Sequence, residues 1–194
     1  MRLKTLLVIV ALAICVASAP ATFAQNLIQN GNFGTGDYTD WTTGGNFEFS
    51  QVVSGAYYDY SGGQGGSTYY STMGPVGSDG TLSQSFTDIA GASYSVSFWF
   101  ASVGDNPSDF SAKWDNTTLL SLTNPDTGAN WTQYTFNVTG TGSDTLTFAF
   151  RDDPAYVALD NVVVSATIPE PSSLMLLGTG VLGLGGMVRR KLRR

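Results

Sequence analysis

The fold is decided by the stretch Tyr94-Ser95-Val96-Ser97-Phe98-Trp99-Phe100, in which apolar and polar residues alternate. Successive side chains of a β-strand point to opposite faces, so all the aromatic and valine side chains of this stretch except Trp99 share one face. The same alternation occurs in the segments 134–138 and 146–150. We therefore predict half-buried antiparallel strands whose large aromatic residues supply the core.

Clusters of Gly, Asn, Asp, Ser and Pro separate further strands along the chain. The run Ser61-Gly62-Gly63-Gln64-Gly65-Gly66 can only be a loop, and no stretch has the period of an amphipathic helix. Roughly seven strands within residues 25–167 favour an all-β domain of two packed sheets, with its first and last strands close together. The further strands are predicted at Asn46–Val53, Leu82–Thr87, Lys113–Leu122 and Val157–Ser165.

The charge is distributed unevenly between the middle of the chain and its ends. All 15 Asp and Glu residues lie between Asp37 and Glu170, whereas only Lys113 and Arg151 of the 9 Lys and Arg residues do. So acidic a domain repels phosphate backbones, which excludes nucleic acid as a partner. The chain has no His, and its single Cys, Cys15, lies near the start. The lack of His excludes a Ser-His-Asp triad and an imidazole metal site. Because Cys15 lies in the N-terminal apolar segment, the domain that follows has no thiolate nucleophile, and we predict no catalytic residues.

Residues 1–24 have the three-part organisation of a secretory signal peptide. Arg2 and Lys4 precede an apolar run, and small residues follow it up to Ala24. We predict export through the Sec translocon and removal of residues 1–24 by signal peptidase. A permanent N-terminal anchor is the alternative.

Residues 168–194 consist of three blocks with different physical roles. The prolines of Pro169-Glu170-Pro171 cannot continue a strand or helix, so they leave an extended, accessible peptide. The uncharged residues 172–188 reach the short end of the roughly 17–25 residues that a transmembrane helix needs. The basic tail 189–194 would stay in the cytoplasm and leave the domain outside. The glycines in the span make it a poor permanent anchor, although a plain C-terminal anchor remains the alternative.

Together, the Pro-Glu-Pro triplet, the short glycine-containing span and the arginine-rich end resemble the PEP-CTERM sorting signal of Gram-negative bacteria. The resemblance implies that an exosortase, a membrane-embedded protease, recognises and cuts the chain near Pro169, Glu170 and Pro171. These three are then substrate residues, not catalytic ones. It also implies transient anchoring in the inner membrane, followed by release to the cell surface or the extracellular polysaccharide matrix.

A second resemblance concerns the domain itself. The opening Asn26-Leu27-Ile28-Gln29-Asn30-Gly31-Asn32-Phe33, with Asp40-Trp41 after it, and the closing Leu159-Asp160-Asn161-Val162-Val163-Val164 are similar to the ends of galactose-binding-like jelly rolls. This fold occurs in many carbohydrate-binding modules. The resemblance implies a jelly-roll β-sandwich with Trp41 in its core.

Relatives with this fold often hold a structural calcium ion where the first and last strands meet. By motif, Asp160 corresponds to the carboxylate of the closing strand, and Glu48 is a candidate second ligand. The sequence departs from the pattern because Gly34 stands where a glutamate usually follows the opening motif. The alternative role for Asp160 is to brace a turn by hydrogen bonding to nearby backbone.

Sugar binding in such folds uses exposed aromatic rings that stack on pyranose faces, with polar side chains reading the hydroxyl groups. Tyrosines crowd around the glycine-rich run, and several tryptophans fall out of phase with the apolar faces. Ordinary packing in a sandwich is the alternative for each of these residues. The candidate ligand-binding residues are Tyr57, Tyr58, Tyr60, Tyr69, Tyr70 and Trp114.

These observations predict an exported, non-catalytic surface or matrix protein that associates with exopolysaccharide or other glycans. One alternative is a structural matrix protein that acts by self-association, with its acidity bridged by divalent cations. The other is a polysaccharide-acting hydrolase, which would need two carboxylates in a cleft. Asp152 and Asp153 are adjacent, so in a strand they would point to opposite faces and could not form such a pair.

Overall fold

The computed structural model describes residues 25–167, which form ten β-strands and no helix. Within this range no helix is therefore suited to cross a membrane. The predicted signal peptide, residues 1–24, and the predicted sorting tail, residues 168–194, lie outside the described residues. The strands are β1 (Thr42–Gly45), β2 (Gln51–Ser54), β3 (Tyr69–Met73), β4 (Gly80–Thr87), β5 (Ser93–Ser102), β6 (Ser108–Trp114), β7 (Thr117–Thr123), β8 (Thr132–Thr139), β9 (Ser143–Asp152) and β10 (Val157–Ala166).

The strands form two five-stranded sheets. The first sheet has the order β1-β4-β9-β6-β7 and the second has the order β2-β3-β10-β5-β8. Every strand pair is antiparallel. The predicted all-β fold of two packed sheets is therefore confirmed.

The core lies between the sheets and consists mainly of aromatic side chains. The predicted inward face of β5 is confirmed, because Val96, Phe98 and Phe100 are all fully buried. The matching face of β9 meets it, and the rings of Phe98 and Phe148 lie 5.1 Å apart in an edge-to-face contact. Each such side chain stabilises the fold by about 1.5–3 kcal/mol when it leaves water. The inward residues of β8 are only half-buried, because β8 is an edge strand.

The first described residues pair with the last strand, as predicted for the two ends of the domain. The amide of Leu27 donates to the carbonyl of Val164 at 2.8 Å, and the amide of Val162 donates to the carbonyl of Gly31 at 2.8 Å. Gly31 is required by this close approach, because a Cβ there would lie 2.1 Å from the oxygen of Val162. Trp41 packs in the core against Phe33 with ring centroids 5.9 Å apart, which confirms its predicted place.

Two of the predicted strand boundaries were wrong. The segment predicted as one strand over 113–122 is a hairpin of β6 and β7, because Asp115 has a φ of 50° and reverses the chain. Alternation continues on both sides of such a short turn, so periodicity alone did not reveal it. The strand predicted from Asn46 begins only at Gln51, since Asn46 donates its side-chain amide to the carbonyl of Val76 and Phe49 has a φ of 56°.

The connections lie at two opposite ends of the sandwich. At the end that we call the Tyr58 end lie the connections that follow β1, β3, β5, β7 and β9, and the connection after β2 reaches them. At the other end, called the Thr167 end, lie the turns after β4, β6 and β8 together with the end of β10. Thr167 donates its amide to the carbonyl of Ser93 there at 2.9 Å. Since Leu27 pairs with Val164, both ends of the described chain lie at the Thr167 end.

Candidate functional site

The long connection after β2 covers the outer face of the second sheet. Its predicted loop, residues 61–66, is confirmed as a loop and is called the glycine loop here. Beneath the connection, Tyr60 and Tyr70 are almost completely buried against Ala101 and Ala158, and they form a core separate from the main one. The indole nitrogen of Trp131 donates to the carbonyl of Gly62 at 2.9 Å and closes one side. These contacts fix the connection against the second sheet.

Asp160 lies on β10 beneath the glycine loop, where protein encloses it completely. One carboxylate oxygen accepts the amide of Gln64 at 2.6 Å, and the other accepts the amide of Asn161 at 2.6 Å. Burial raises the pKa of Asp160 to about 7, against the opposing effect of these hydrogen bonds. The contacts match the bracing role that the sequence offered as the alternative to a calcium ligand.

Glu48, the other predicted calcium ligand, is exposed in the connection between β1 and β2. Residues 25–167 contain no group of three or more Asp, Glu, His or Cys side chains arranged to hold a metal ion. Calcium also accepts main-chain carbonyl ligands, so a site at Asp160 and Glu48 stays a proposal.

The predicted tyrosine cluster is divided by the structure. Tyr60 and Tyr70 are 1% and 0% exposed, so they cannot stack on a ligand that arrives from solvent. Tyr69 follows the opposite face of β3 and packs on the main core. Trp114 is 5% exposed and packs against Phe86 with ring centroids 5.4 Å apart. Burial thus removes Tyr60, Tyr70 and Trp114 from the predicted binding surface, and only Tyr57 and Tyr58 remain there.

These two residues belong to a tight reversal, residues 57–60, which we call the tyrosine turn. The amides of Tyr57 and Tyr60 each donate to the carbonyl of the other, at 3.1 and 3.0 Å. Tyr58 lies at the tip with a φ of 54°, and its side chain is 53% exposed. The hydroxyl of buried Tyr60 donates to the carbonyl of Tyr156 and anchors the turn. The turn therefore presents Tyr58 on a fixed support.

Tyr58 does not stand alone at this end of the sandwich. Its ring lies 5.4 Å from that of Tyr156, at an interplanar angle of 69°. Partial burial raises the pKa of Tyr58, and the negative charges of Asp105, Asp59 and Asp152 raise it further. An exposed aromatic ring beside carboxylates is the combination that binds sugars, because the ring covers a pyranose face and the carboxylates accept hydroxyl protons.

Asp152 ends β9 with its side chain on the inward face of that strand, and it is 0% exposed. Within residues 25–167 no donor lies within hydrogen-bonding distance of either carboxylate oxygen. Burial first, and then the charges of Asp105 and Asp153, raises the pKa of Asp152 to about 7. An enclosed carboxylate without donors is costly and therefore needs a physical explanation.

The predicted divergence of Asp152 and Asp153 agrees with the structure. Asp153 accepts two hydrogen bonds from the guanidinium of Arg151, the shorter at 2.5 Å, and its pKa is lowered. Asp152 faces the interior instead. The two carboxylates therefore do not form an exposed acid and nucleophile pair.

Sequence reasoning did not identify Tyr156 and Asp105 as parts of this site. Tyr156 lies in the connection after β9 and Asp105 in the connection after β5. Neither residue belongs to a short-range pattern. Only the meeting of connections that are distant in sequence brings them to Tyr58, so the sequence carried no signal for either.

Comparison with protein families identifies the end of the chain. Residues 167–191 match the PEP-CTERM protein-sorting motif. This confirms the resemblance inferred from Pro169, Glu170 and Pro171, and it indicates a secreted protein that is targeted to the cell surface. A search of curated proteins found no match.

Comparison with solved structures identifies the fold. The domain is similar to TmCBM61 in complex with β-1,4-galactotriose, with a TM-score of 0.60 and 20% identity over 74% of this chain and 99% of that chain. It is also similar to the K3 cleaved adhesin domain of Lys-gingipain from Porphyromonas gingivalis w83, with a TM-score of 0.50 and 18% identity over 71% of this chain and 98% of that one. The domain thus has the jelly-roll fold of carbohydrate-binding modules.

A third similar structure is the enzymatically active domain of tailspike protein 4 from bacteriophage CBA120. Its TM-score is 0.54 and its identity 15%, over 73% of this chain and 21% of that chain. This chain therefore spans about a fifth of the length of that protein. The identities of all three structures are low, so the likeness concerns the fold alone.

Proposed function

We propose that this exported protein is a non-catalytic, glycan-associating component of the cell surface or extracellular matrix, released there by an exosortase. The observation that carries the glycan part is the half-exposed ring of Tyr58, supported by Tyr156 and flanked by carboxylates at one end of a jelly roll. The sorting motif at 167–191 supports the export part. The two parts are tested separately.

In this proposal the tail is a temporary membrane anchor. Residues 172–188 span the inner membrane, residues 189–194 remain on the cytoplasmic side, and the exosortase cuts near Pro169, Glu170 and Pro171. Thr167 is hydrogen-bonded to Ser93, so the cleavable segment begins directly where the folded domain ends. The extended Pro-Glu-Pro peptide is then the part of the tail that a protease reaches most easily.

The positions of the two ends suit a protein that binds while it is still anchored. Both ends of the described chain lie at the Thr167 end, and Tyr58 lies at the opposite end of the strands. A tail that leaves from the Thr167 end therefore does not obstruct Tyr58. The same surface stays available before and after cleavage.

The arrangement of acidic side chains supports a binding role over hydrolysis. Glycoside hydrolysis requires two carboxylates on either side of a scissile bond. Asp153 is engaged by Arg151, and Asp152 is enclosed, so this neighbouring pair does not offer two open carboxylates. A hydrolase would instead show turnover that falls when two other carboxylates are replaced.

The sorting part is tested by expressing the full chain in a bacterium with and without an exosortase. We expect mass spectrometry of the released protein to find a C-terminus near Pro169–Pro171 only when the exosortase is present. The Glu170→Ala variant should stay with the membrane fraction, whereas the matched Ser173→Ala variant should be released. Released protein that carries an intact C-terminus would contradict this part.

The glycan part is tested by titrating the full chain, in detergent, against a panel of soluble polysaccharides with and without calcium. We expect saturable binding to at least one polysaccharide. Failure to bind any of them, together with sedimentation of the chain on addition of calcium alone, would favour the self-associating matrix protein instead.

A further inference from the structure

The enclosed carboxylate of Asp152 is unlike its neighbours on β9. The three residues directly before it on the inward face, Leu146, Phe148 and Phe150, are apolar and fully buried. Asp144 at the start of the strand is also buried, but both its oxygens accept hydrogen bonds from Thr141. Asp152 continues this row at the Tyr58 end, with 0% exposure and with no donor for either oxygen within residues 25–167. An ionised group in such a place requires a compensating charge, a proton or hydrogen-bond donors.

The surroundings of Asp152 favour one of these ways to compensate its negative charge. Protein donors are absent around the carboxylate, and a sugar ring is too large to reach atoms that protein encloses completely, so only a proton or a small ion could be held there. A proton would neutralise Asp152 alone, whereas the negative charge of Asp105 also acts at this place. Arg151, the one basic residue nearby in sequence, is already paired with Asp153. A divalent cation would compensate both Asp152 and Asp105.

Three connections converge on Asp152 and bring main-chain oxygens with them. The amide of Asp152 donates to the carbonyl of Pro75 at 3.2 Å, and the amide of Asp153 donates to the carbonyl of Pro107 at 3.0 Å. Ser108 pairs with Asp152 across the strands and donates its hydroxyl to the carbonyl of Asp105 at 2.7 Å. Each of these carbonyl oxygens keeps a second lone pair.

We propose that Asp152 and Asp105, with main-chain carbonyl groups of these connections, form a site for a divalent cation at the Tyr58 end, and that the cation is calcium. The set contains oxygen atoms only, which selects a hard cation. The ligands come from irregular connections, and calcium tolerates irregular geometry where magnesium demands a near-ideal octahedron. Two carboxylates with carbonyl groups suffice, so a third acidic side chain is not needed.

This site is different from the calcium site predicted at Asp160 and Glu48. The two oxygens of Asp160 are occupied by the amides of Gln64 and Asn161, whereas those of Asp152 have no such partners. The site also stands apart from the proposed glycan binding, because cation binding is measured without any sugar. If both hold, the cation lies close to Tyr58.

The test uses terbium, a luminescent substitute for calcium that nearby tyrosines sensitise. Tyr60 donates its hydroxyl to the carbonyl of Tyr156, and the ring of Tyr58 lies 5.4 Å from that of Tyr156, so tyrosines stand at the same end of the sandwich as Asp152 and can report. The full-length chain in detergent is titrated with terbium, and calcium or magnesium is then added as competitor. The variants are Asp152→Asn, Asp105→Asn and, as the matched control, Asp40→Asn at an exposed carboxylate.

We expect sensitised terbium emission that calcium displaces at concentrations at least tenfold lower than magnesium. Asp152→Asn and Asp105→Asn should each weaken terbium binding at least tenfold, and Asp40→Asn should leave it unchanged. Asp105 is only partly buried, so Asp105→Asn decides the matter even if Asp152→Asn fails to fold. The proposal is overturned if emission does not exceed that of the urea-unfolded chain, if it survives in Asp105→Asn, or if Asp40→Asn weakens it as much as Asp105→Asn does.

Discussion

Asp160 on β10 and Asp152 at the end of β9 are both completely enclosed by protein, and burial raises the pKa of each to about 7. Their partners differ. The glycine loop supplies a backbone amide to Asp160, and Asn161 supplies another, whereas Asp152 receives no donor within residues 25–167. The comparison teaches that burial alone does not define a role. Asp160 holds the glycine loop by a hydrogen bond, whereas the carboxylate of Asp152 lacks hydrogen-bond donors, which indicates a bound ligand.

The largest effect is expected from removing the carboxylate of Asp160. The variant Asp160→Ala leaves the buried amides of Gln64 and Asn161 without an acceptor, and each unpaired group costs about 1–3 kcal/mol. We expect the free energy of unfolding to fall by about 3 kcal/mol in urea at pH 7. Glu48→Ala, which replaces an exposed carboxylate, should change it little. Equal stability of the two variants would remove the distinction between Asp160 and a surface residue.

The opposite sign is expected at Asp152 when divalent cations are removed with EDTA. In Asp152→Asn the enclosed charge is gone, so we expect the free energy of unfolding at pH 8 to rise by about 2 kcal/mol. The folded-state pKa of about 7 exceeds the unfolded value, so the wild-type domain loses stability as the pH rises from about 4 to 7. The gain in the variant should therefore shrink through this range and be nearly absent at pH 4. Urea unfolding at both pH values measures it, and destabilisation at pH 8 would mean that a protein donor serves Asp152 after all.

A smaller effect is expected from moving the glycine loop away from Asp160. A Cβ at Gly63 would lie 2.7 Å from the carbonyl oxygen of Ser67 and 2.9 Å from a carboxylate oxygen of Asp160. Gly63→Ala should therefore cost about 1.5 kcal/mol through overpacking. At Gly34 the new Cβ meets only the exposed side chain of Asn32, so Gly34→Ala serves as the control in thermal unfolding. A tolerated Gly63→Ala would show that the loop does not press on Asp160.

Much of the fold could be predicted because strand alternation is a local signal. The inward residues of β5 and β9 follow directly from it, as does the loop at 61–66. The turn at Asp115 could not be read in this way, because a two-residue reversal leaves the alternation on either side intact. The sequence therefore did not show that residues 113–122 belong to two paired strands, β6 and β7.

The candidate site was less predictable, because it depends on which face each residue meets. Tyr69 and Tyr70 are adjacent in sequence and point to opposite faces of β3, where they pack into two different cores, so composition could not show that both rings are used in packing. Tyr156 and Asp105 join Tyr58 only through tertiary packing. The lack of donors around Asp152 is likewise a property of three connections that meet, which no single segment reveals.

Comparing the two ends of the sandwich gives the most direct test of the proposed binding surface. Tyr58 and Ile89 are both well exposed, at 53% and 70%, but Ile89 lies in the turn after β4 at the Thr167 end. For the polysaccharide that binds the wild-type chain best, we expect Tyr58→Ala to weaken the affinity about tenfold, equivalent to about 1.4 kcal/mol, and Ile89→Ala to leave it unchanged. Equal affinity of Tyr58→Ala and the wild-type chain would contradict the account.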